Sequence, residues 1–188
     1  MRLRRVRGVP DEVARRRPGR FGRSDVLRRT GAGRGGQVEH SELIPRLYED
    51  EGLLALVSRL TGRPAAPVPD PLERHVLNIL HRVGDTHGAH TDDYPYALVL
   101  FLEAPEHPAD GGLAQFTPHT TVLRDVDDER AATAHHAAGD AYLLRSDTTA
   151  HRVTPLTRPG VRRTVLNFAY TTPGSQPEPS RSAGELYG

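Results

Sequence analysis

The chain has 188 residues, 26% charged and 36% hydrophobic, with a formal net charge of +1 at pH 7. That length suits one hydrophobic core, and the near-zero charge gives no whole-molecule attraction to nucleic acid or an anionic membrane. With no Cys, disulfides, zinc–thiolate sites and thiol nucleophiles are excluded; no apolar run nears the ~20 residues that cross a bilayer, so a soluble, cytoplasmic protein is expected.

Residues 1–40 read as an irregular, arginine-rich arm. All 25 basic residues are Arg, and twelve of them fall in the first 34 positions. A solvated arm is the plain reading of such a charge run. A nucleic-acid arm is disfavoured, because no aromatic side chains interleave to stack on bases. From Ser41, Leu43, Ile44, Leu47, Leu53, Leu54, Leu56, Val57 and Leu60 recur at helical spacing. Gly62 and Pro64 close that pattern, so one broken helix or two short ones are predicted over 41–61. A proline-rich connector over 63–72 follows.

The period then changes to that of strands. Segments 75–81 and 96–102 are the strongest, with weaker ones at 113–117, 141–144, 150–153 and 164–170. Asp110-Gly111-Gly112 and Ala138-Gly139-Asp140 supply turns. Many short strands behind a helical segment predict a mainly β (α+β) fold, a small antiparallel barrel or jelly roll over about 75–170. The domain therefore runs over 41–170, and 171–188, rich in Pro, Ser and Gly, reads as a flexible tail.

The chemistry concentrates in His90-Thr91-Asp92 and the distant His151. A lone His-x-Asp is weak, because ten His and thirteen Asp produce about one such pair by chance. Context adds weight: the pair lies between two strands, side chains two apart on a strand share a face, and His151 opens a later strand. Two imidazoles and one carboxylate on one face of an octahedral metal leave three open positions, the signature of non-haem Fe(II) oxygenases. Arg162, just past Pro159-Gly160, is suited to fork onto a carboxylate. The other histidines, including His135 and His136 in an Ala-rich loop, have no partner at ligand spacing.

The ordered set Gly84-Asp85, His90-x-Asp92, Asp110-Gly111-Gly112-Leu113-x-x-Phe116, Gly139-Asp140, His151-Arg152-Val153-Thr154-Pro155 and Arg162-x-Thr164 resembles the Fe(II)/2-oxoglutarate dioxygenase superfamily. The resemblance covers about 75–170 and implies a double-stranded β-helix with N-terminal helices. It implies Fe(II) on His90, Asp92 and His151, with O₂ and 2-oxoglutarate as co-substrates. Arg162 and Thr164 would hold the far carboxylate of 2-oxoglutarate, and His81 stands where many members carry a Tyr that touches it.

The stretch Asp85-Thr86-His87-Gly88-x-His90-x-Asp92-Asp93-Tyr94 is similar, more narrowly, to a small group of bacterial free-amino-acid (lysine-type) hydroxylases and radical halogenases. The halogenases of that group replace the metal Asp with Gly to admit chloride, whereas this chain keeps Asp92. That similarity implies Glu73 and Asp93 at the substrate's side-chain ammonium, His87 and Asn167 at its α-carboxylate or α-amine, and an N-terminal arginine, Arg34, at its carboxylate.

The expected activity is hydroxylation of an aliphatic C–H of a small molecule, with release of succinate and CO₂. Rivals are desaturation, epoxidation or cyclisation by the same iron site, a cupin-type jelly roll acting without 2-oxoglutarate, and an Arg-rich nucleic-acid-binding jelly roll. Oligomeric state is open.

Overall fold

The computed structural model describes residues 25–27, 42–71 and 73–175. Two helices precede the sheets, α1 (Leu43–Tyr48) and α2 (Glu51–Thr61). Asp50 breaks the helical run and caps α2, its carboxylate accepting from the Leu53 N–H at 2.8 Å. Gly62 ends α2 in the left-handed conformation. The helices dock through Tyr48, whose hydroxyl donates to the Ala169 carbonyl at 2.8 Å and accepts from the Val68 N–H at 2.9 Å.

Two antiparallel sheets form the body. The larger orders β1 (Asp25–Leu27), β3 (His75–Leu80), β10 (Arg163–Thr171), β5 (Tyr96–Glu103) and β8 (Ala141–Arg145), with β2 (Ala66–Pro67) against the end of β10. The smaller orders β4 (His87–His90), β9 (Thr149–Val153), β6 (Ala114–Pro118) and β7 (Ala132–Ala134). Except for the step from β6 to β7, the chain alternates between sheets from β3 to β10, which is the winding of a double-stranded β-helix. The expected jelly roll is thus the fold observed.

Central strands of the larger sheet are covered on both faces, so they read as near-continuous apolar runs. On β10, Leu166, Phe168 and Tyr170 meet the helices with Tyr96 and Leu98 of β5. The alternate residues Val165, Asn167 and Ala169 face the inter-sheet cavity, with Ala97 and Val99 of β5. This parity decides which side chains reach the site.

Several motif residues are scaffold. Asp85 accepts from the backbone N–H groups of His81 and Arg82, both at 2.9 Å, and so shapes the turn into β4. Gly111 sits at φ 81°, ψ −157°, a region open almost to glycine alone. A Cβ there would lie 1.9 Å from the Pro155 carbonyl oxygen. Leu113 N–H donates to the Thr154 hydroxyl at 2.9 Å, and Arg158 donates to Asp110 at 2.9 Å. The glycine turn and the segment after His151 therefore brace each other.

Three expectations need correction. The arm expected to be irregular contributes β1, which pairs with β3. The strands β4 and β7 are short, and alternation did not mark them. The expected tail begins inside β10, which runs to Thr171 because its end still pairs with β2. Arg34 and residues 176–188 lie outside the described residues.

Candidate metal centre and its cavity

His90 and His151 are direct partners across the β4–β9 pairing, so two histidines far apart in sequence become a cross-strand pair. Their rings lie 4.1 Å apart between centroids. Asp92 follows just past the end of β4, held by its backbone N–H donating to the Ser146 carbonyl at 3.0 Å. Its Oδ1 is 3.5 Å from His90 Nε2 and 3.8 Å from His151 Nε2. One ligating atom from each residue falls within 4.8 Å of the others.

The donor chemistry fits a metal ion. His90 Nδ1 lies 2.7 Å from the Gly88 carbonyl and His151 Nδ1 2.9 Å from the Thr149 carbonyl. A carbonyl only accepts, so both Nδ1 atoms carry a proton, and each Nε2 is the ring nitrogen left available to a metal. Burial, followed by His90, holds the His151 imidazole below its ordinary value, against the pull of Asp92. A neutral imidazole is the ligating form.

The triad opens on a cavity of about 350 Å³ between the sheets. Glu73, His87, Asp93 and Asn167, all expected at the substrate, line it. His87 stacks on His90 at 4.3 Å, and its Nδ1 lies 3.5 Å from the Asn78 amide nitrogen. Burial pushes the His87 imidazole down to about 3, aided by His90, His151 and Arg163. The Tyr94 hydroxyl hydrogen-bonds Glu73 at the edge of the site.

The residues expected at the co-substrate are placed differently. Arg162 and Thr164 turn away from the cavity, and both donate to the Glu103 carboxylate, Arg162 Nε at 3.2 Å. His81 follows the last residue of β3 and sits by Asp85, its Nδ1 3.8 Å from that carboxylate. Two arginines line the cavity: Arg152, whose guanidinium is paired with Asp127 and Gln115, both at 2.7 Å, and Arg163, only 2% exposed. Its guanidinium carbon lies 5.0 Å from the centre of the Phe101 ring, and it hydrogen-bonds Tyr142. Its buried Nε has no partner. Among the described residues, no carboxylate lies within ion-pair distance of it.

Asn78 and His136 also line the cavity and were not among the expected site residues. For Asn78 the alternation of β3 was a usable clue, because Val76 and Asn78 share the inner face. His136 had no local clue.

Solved structures of other proteins agree on the fold. The 2OG-Fe(II) oxygenase family protein from Burkholderia pseudomallei matches with TM-score 0.53 and 21% identity. The match covers 70% of this chain and 56% of that one, so the chain spans little more than half of that relative. AviO1 from Streptomyces viridochromogenes Tue57 matches with TM-score 0.59 and 16% identity, over 82% and 69% of the two chains. HygX from Streptomyces hygroscopicus, solved with nickel and 2-oxoglutarate bound, matches with TM-score 0.50 and 18% identity, over 79% and 75%. No curated protein matches significantly. A family model described as Halogenase D matches residues 9–183, and the chain belongs to that family.

Proposed function

We propose that this protein is an Fe(II)- and 2-oxoglutarate-dependent oxygenase that hydroxylates an aliphatic C–H of a free amino acid with a basic side chain. The observation that carries the reading is the His90–Asp92–His151 cluster, with both ring Nδ1 atoms tied to backbone carbonyls and both Nε2 atoms facing one carboxylate. Fe(II) held there, with O₂ and 2-oxoglutarate, would supply the oxidative decarboxylation to succinate and CO₂ and the C–H oxidation that side chains cannot provide. The bound nickel and 2-oxoglutarate in HygX support the choice of co-substrate.

Each residue then has a physical task. His90, Asp92 and His151 fix one face of the metal and leave the cavity side open. Asp92 occupies the position that must be vacated to admit a halide, which favours hydroxylation although the family takes its name from halogenases. Arg163 anchors the far carboxylate of 2-oxoglutarate, because a buried guanidinium without a carboxylate asks for an anion. Glu73 and Asp93 face the substrate's side-chain ammonium, where an unpaired charge would cost several kcal/mol, of order 2–7 or more. His87 and Asn167 orient its α-amine and α-carboxylate, and Arg34 is a further candidate for that carboxylate. The apolar walls Ala97, Val99 and Val165 exclude water and leave orientation to the polar clamps.

The test is a panel of free amino acids assayed for stimulated succinate release with Fe(II), O₂ and 2-oxoglutarate. Lysine, ornithine and arginine are expected to stimulate most and to give hydroxylated products. Stimulation by none of the panel overturns the amino-acid reading. A chlorinated product in chloride buffer overturns the hydroxylase reading, and turnover without 2-oxoglutarate overturns the oxygenase class.

A further inference from the structure

Resting on that reading only for the presence of 2-oxoglutarate, we propose that His136 is a second binding residue for its far carboxylate. Together with Phe101 and Tyr142, it sets the length of 2-oxo acid the cavity accepts.

His136 lies on the connection between β7 and β8, and its ring lines the cavity. It stacks on Phe101 at 4.5 Å with an interplanar angle of 16°, and its ring centre is 5.1 Å from that of Tyr142. The Arg163 guanidinium carbon lies 5.0 Å from the same Phe101 ring, and the guanidinium hydrogen-bonds Tyr142. Phe101 and Tyr142 thus both contact an imidazole and a guanidinium that line the cavity.

Both cationic-type side chains are incomplete there. His136 Nδ1 and Arg163 Nε are buried and have no hydrogen-bond partner. Buried N–H groups are seldom left unmade, since each unsatisfied one carries its full desolvation penalty. In the tautomer protonated on Nδ1, His136 joins the Arg163 Nε in offering two unmet donors, which call for a ligand with two acceptor oxygens and a negative charge. A carboxylate supplies both. Burial holds His136 below its ordinary value, so it contributes a hydrogen bond from a neutral ring rather than a second full charge. The Tyr142 ring lines the cavity beside that carboxylate, and Phe101 supports His136 and Arg163 from outside its lining. A 2-oxo acid one methylene longer would press against Tyr142, and one lacking the second carboxylate would leave both donors unmet.

The experiment is calorimetric titration of the full chain loaded with Mn(II), using 2-oxoglutarate and the monocarboxylate 2-oxobutyrate. His136→Ala is expected to weaken 2-oxoglutarate by about tenfold, the loss of one charge-assisted hydrogen bond, and to leave 2-oxobutyrate within about twofold. His136→Phe preserves the ring stack but not the donor and is expected to behave like the Ala variant. His136→Gln keeps an N–H and is expected to recover most of the affinity. Unchanged 2-oxoglutarate binding in both His136→Ala and His136→Phe overturns the proposal, as does equal weakening of both acids. Wild-type protein that binds no 2-oxoglutarate overturns the oxygenase reading itself, a result distinct from the other two.

Discussion

The two ends of the cavity are built on opposite plans. At the metal end, polar atoms are satisfied by local backbone: each histidine bonds the carbonyl two residues before it, Gly88 for His90 and Thr149 for His151. Those bonds leave both Nε2 atoms beside one carboxylate, an arrangement suited to a cation. At the other end, Arg163 is held by the Phe101 ring and the Tyr142 hydroxyl, and its Nε is unsatisfied, an arrangement that lacks an anion. The site is therefore polarised before anything binds. On the proposed reading, a ligand with a chelating head and an anionic tail would bind with its head at the triad and its tail at Arg163.

The sharpest way to break this contrast is at the metal end. Asp92→Ala removes the only carboxylate of the triad. Mn(II) affinity is expected to fall by more than about 100-fold, since even outer partners of metal ligands are worth 10–100-fold. Succinate release should disappear with it. Metal binding that survives the substitution would refute the assignment of the triad.

The next test sets two adjacent arginines against each other. Arg163→Leu is expected to weaken 2-oxoglutarate by roughly 100-fold, as truncating one partner of a buried charge pair costs about 2–5 kcal/mol. The ligand-free protein should be no less stable, because a buried guanidinium without a carboxylate is itself unfavourable. Arg162→Leu should change 2-oxoglutarate affinity by less than about twofold, since that side chain is 52% exposed and bonds Glu103 on the outer surface. Loss of affinity in the Arg162 variant alone would exchange the two roles.

That pair also marks where sequence reasoning stops. The helices were legible because Leu and Val recur at one period, and the break between them because Asp50 can cap. The candidate metal triad was legible because its histidines sit in short motifs on strands, and one strand pairing brings them together. The choice between Arg162 and Arg163 was not legible. A one-residue change of phase exchanges the faces of a strand, and Val165-Leu166 and Phe168 make β10 apolar on both sides, so alternation could not set the phase. His136 was hidden for another reason: its neighbours Phe101, Tyr142 and Arg163 come from three separate strands. No window of sequence contains that cluster.

The smallest expected effect lies on the outer side of the same strand. Thr164 donates to Glu103, and this bond, with Arg162 in support, holds the Glu103 carboxyl below its ordinary value of 4.5. A carboxylate with a lowered folded-state pKa stabilises the protein above its unfolded value, and that contribution disappears as pH falls through the folded one. Glu103→Gln should therefore be less stable than wild type at pH 7, with the difference closing below about pH 4.5. Because the Glu103 side chain is 48% exposed, solvent screening keeps the difference under about 1 kcal/mol. Urea denaturation at pH 7 and pH 3.5 measures it. A difference that persists at the lower pH would mean that Glu103 acts through packing. A closing difference, with unaltered 2-oxoglutarate affinity, would assign Arg162, Thr164 and Glu103 to a cluster outside the cavity and leave the role of carboxylate anchor to Arg163.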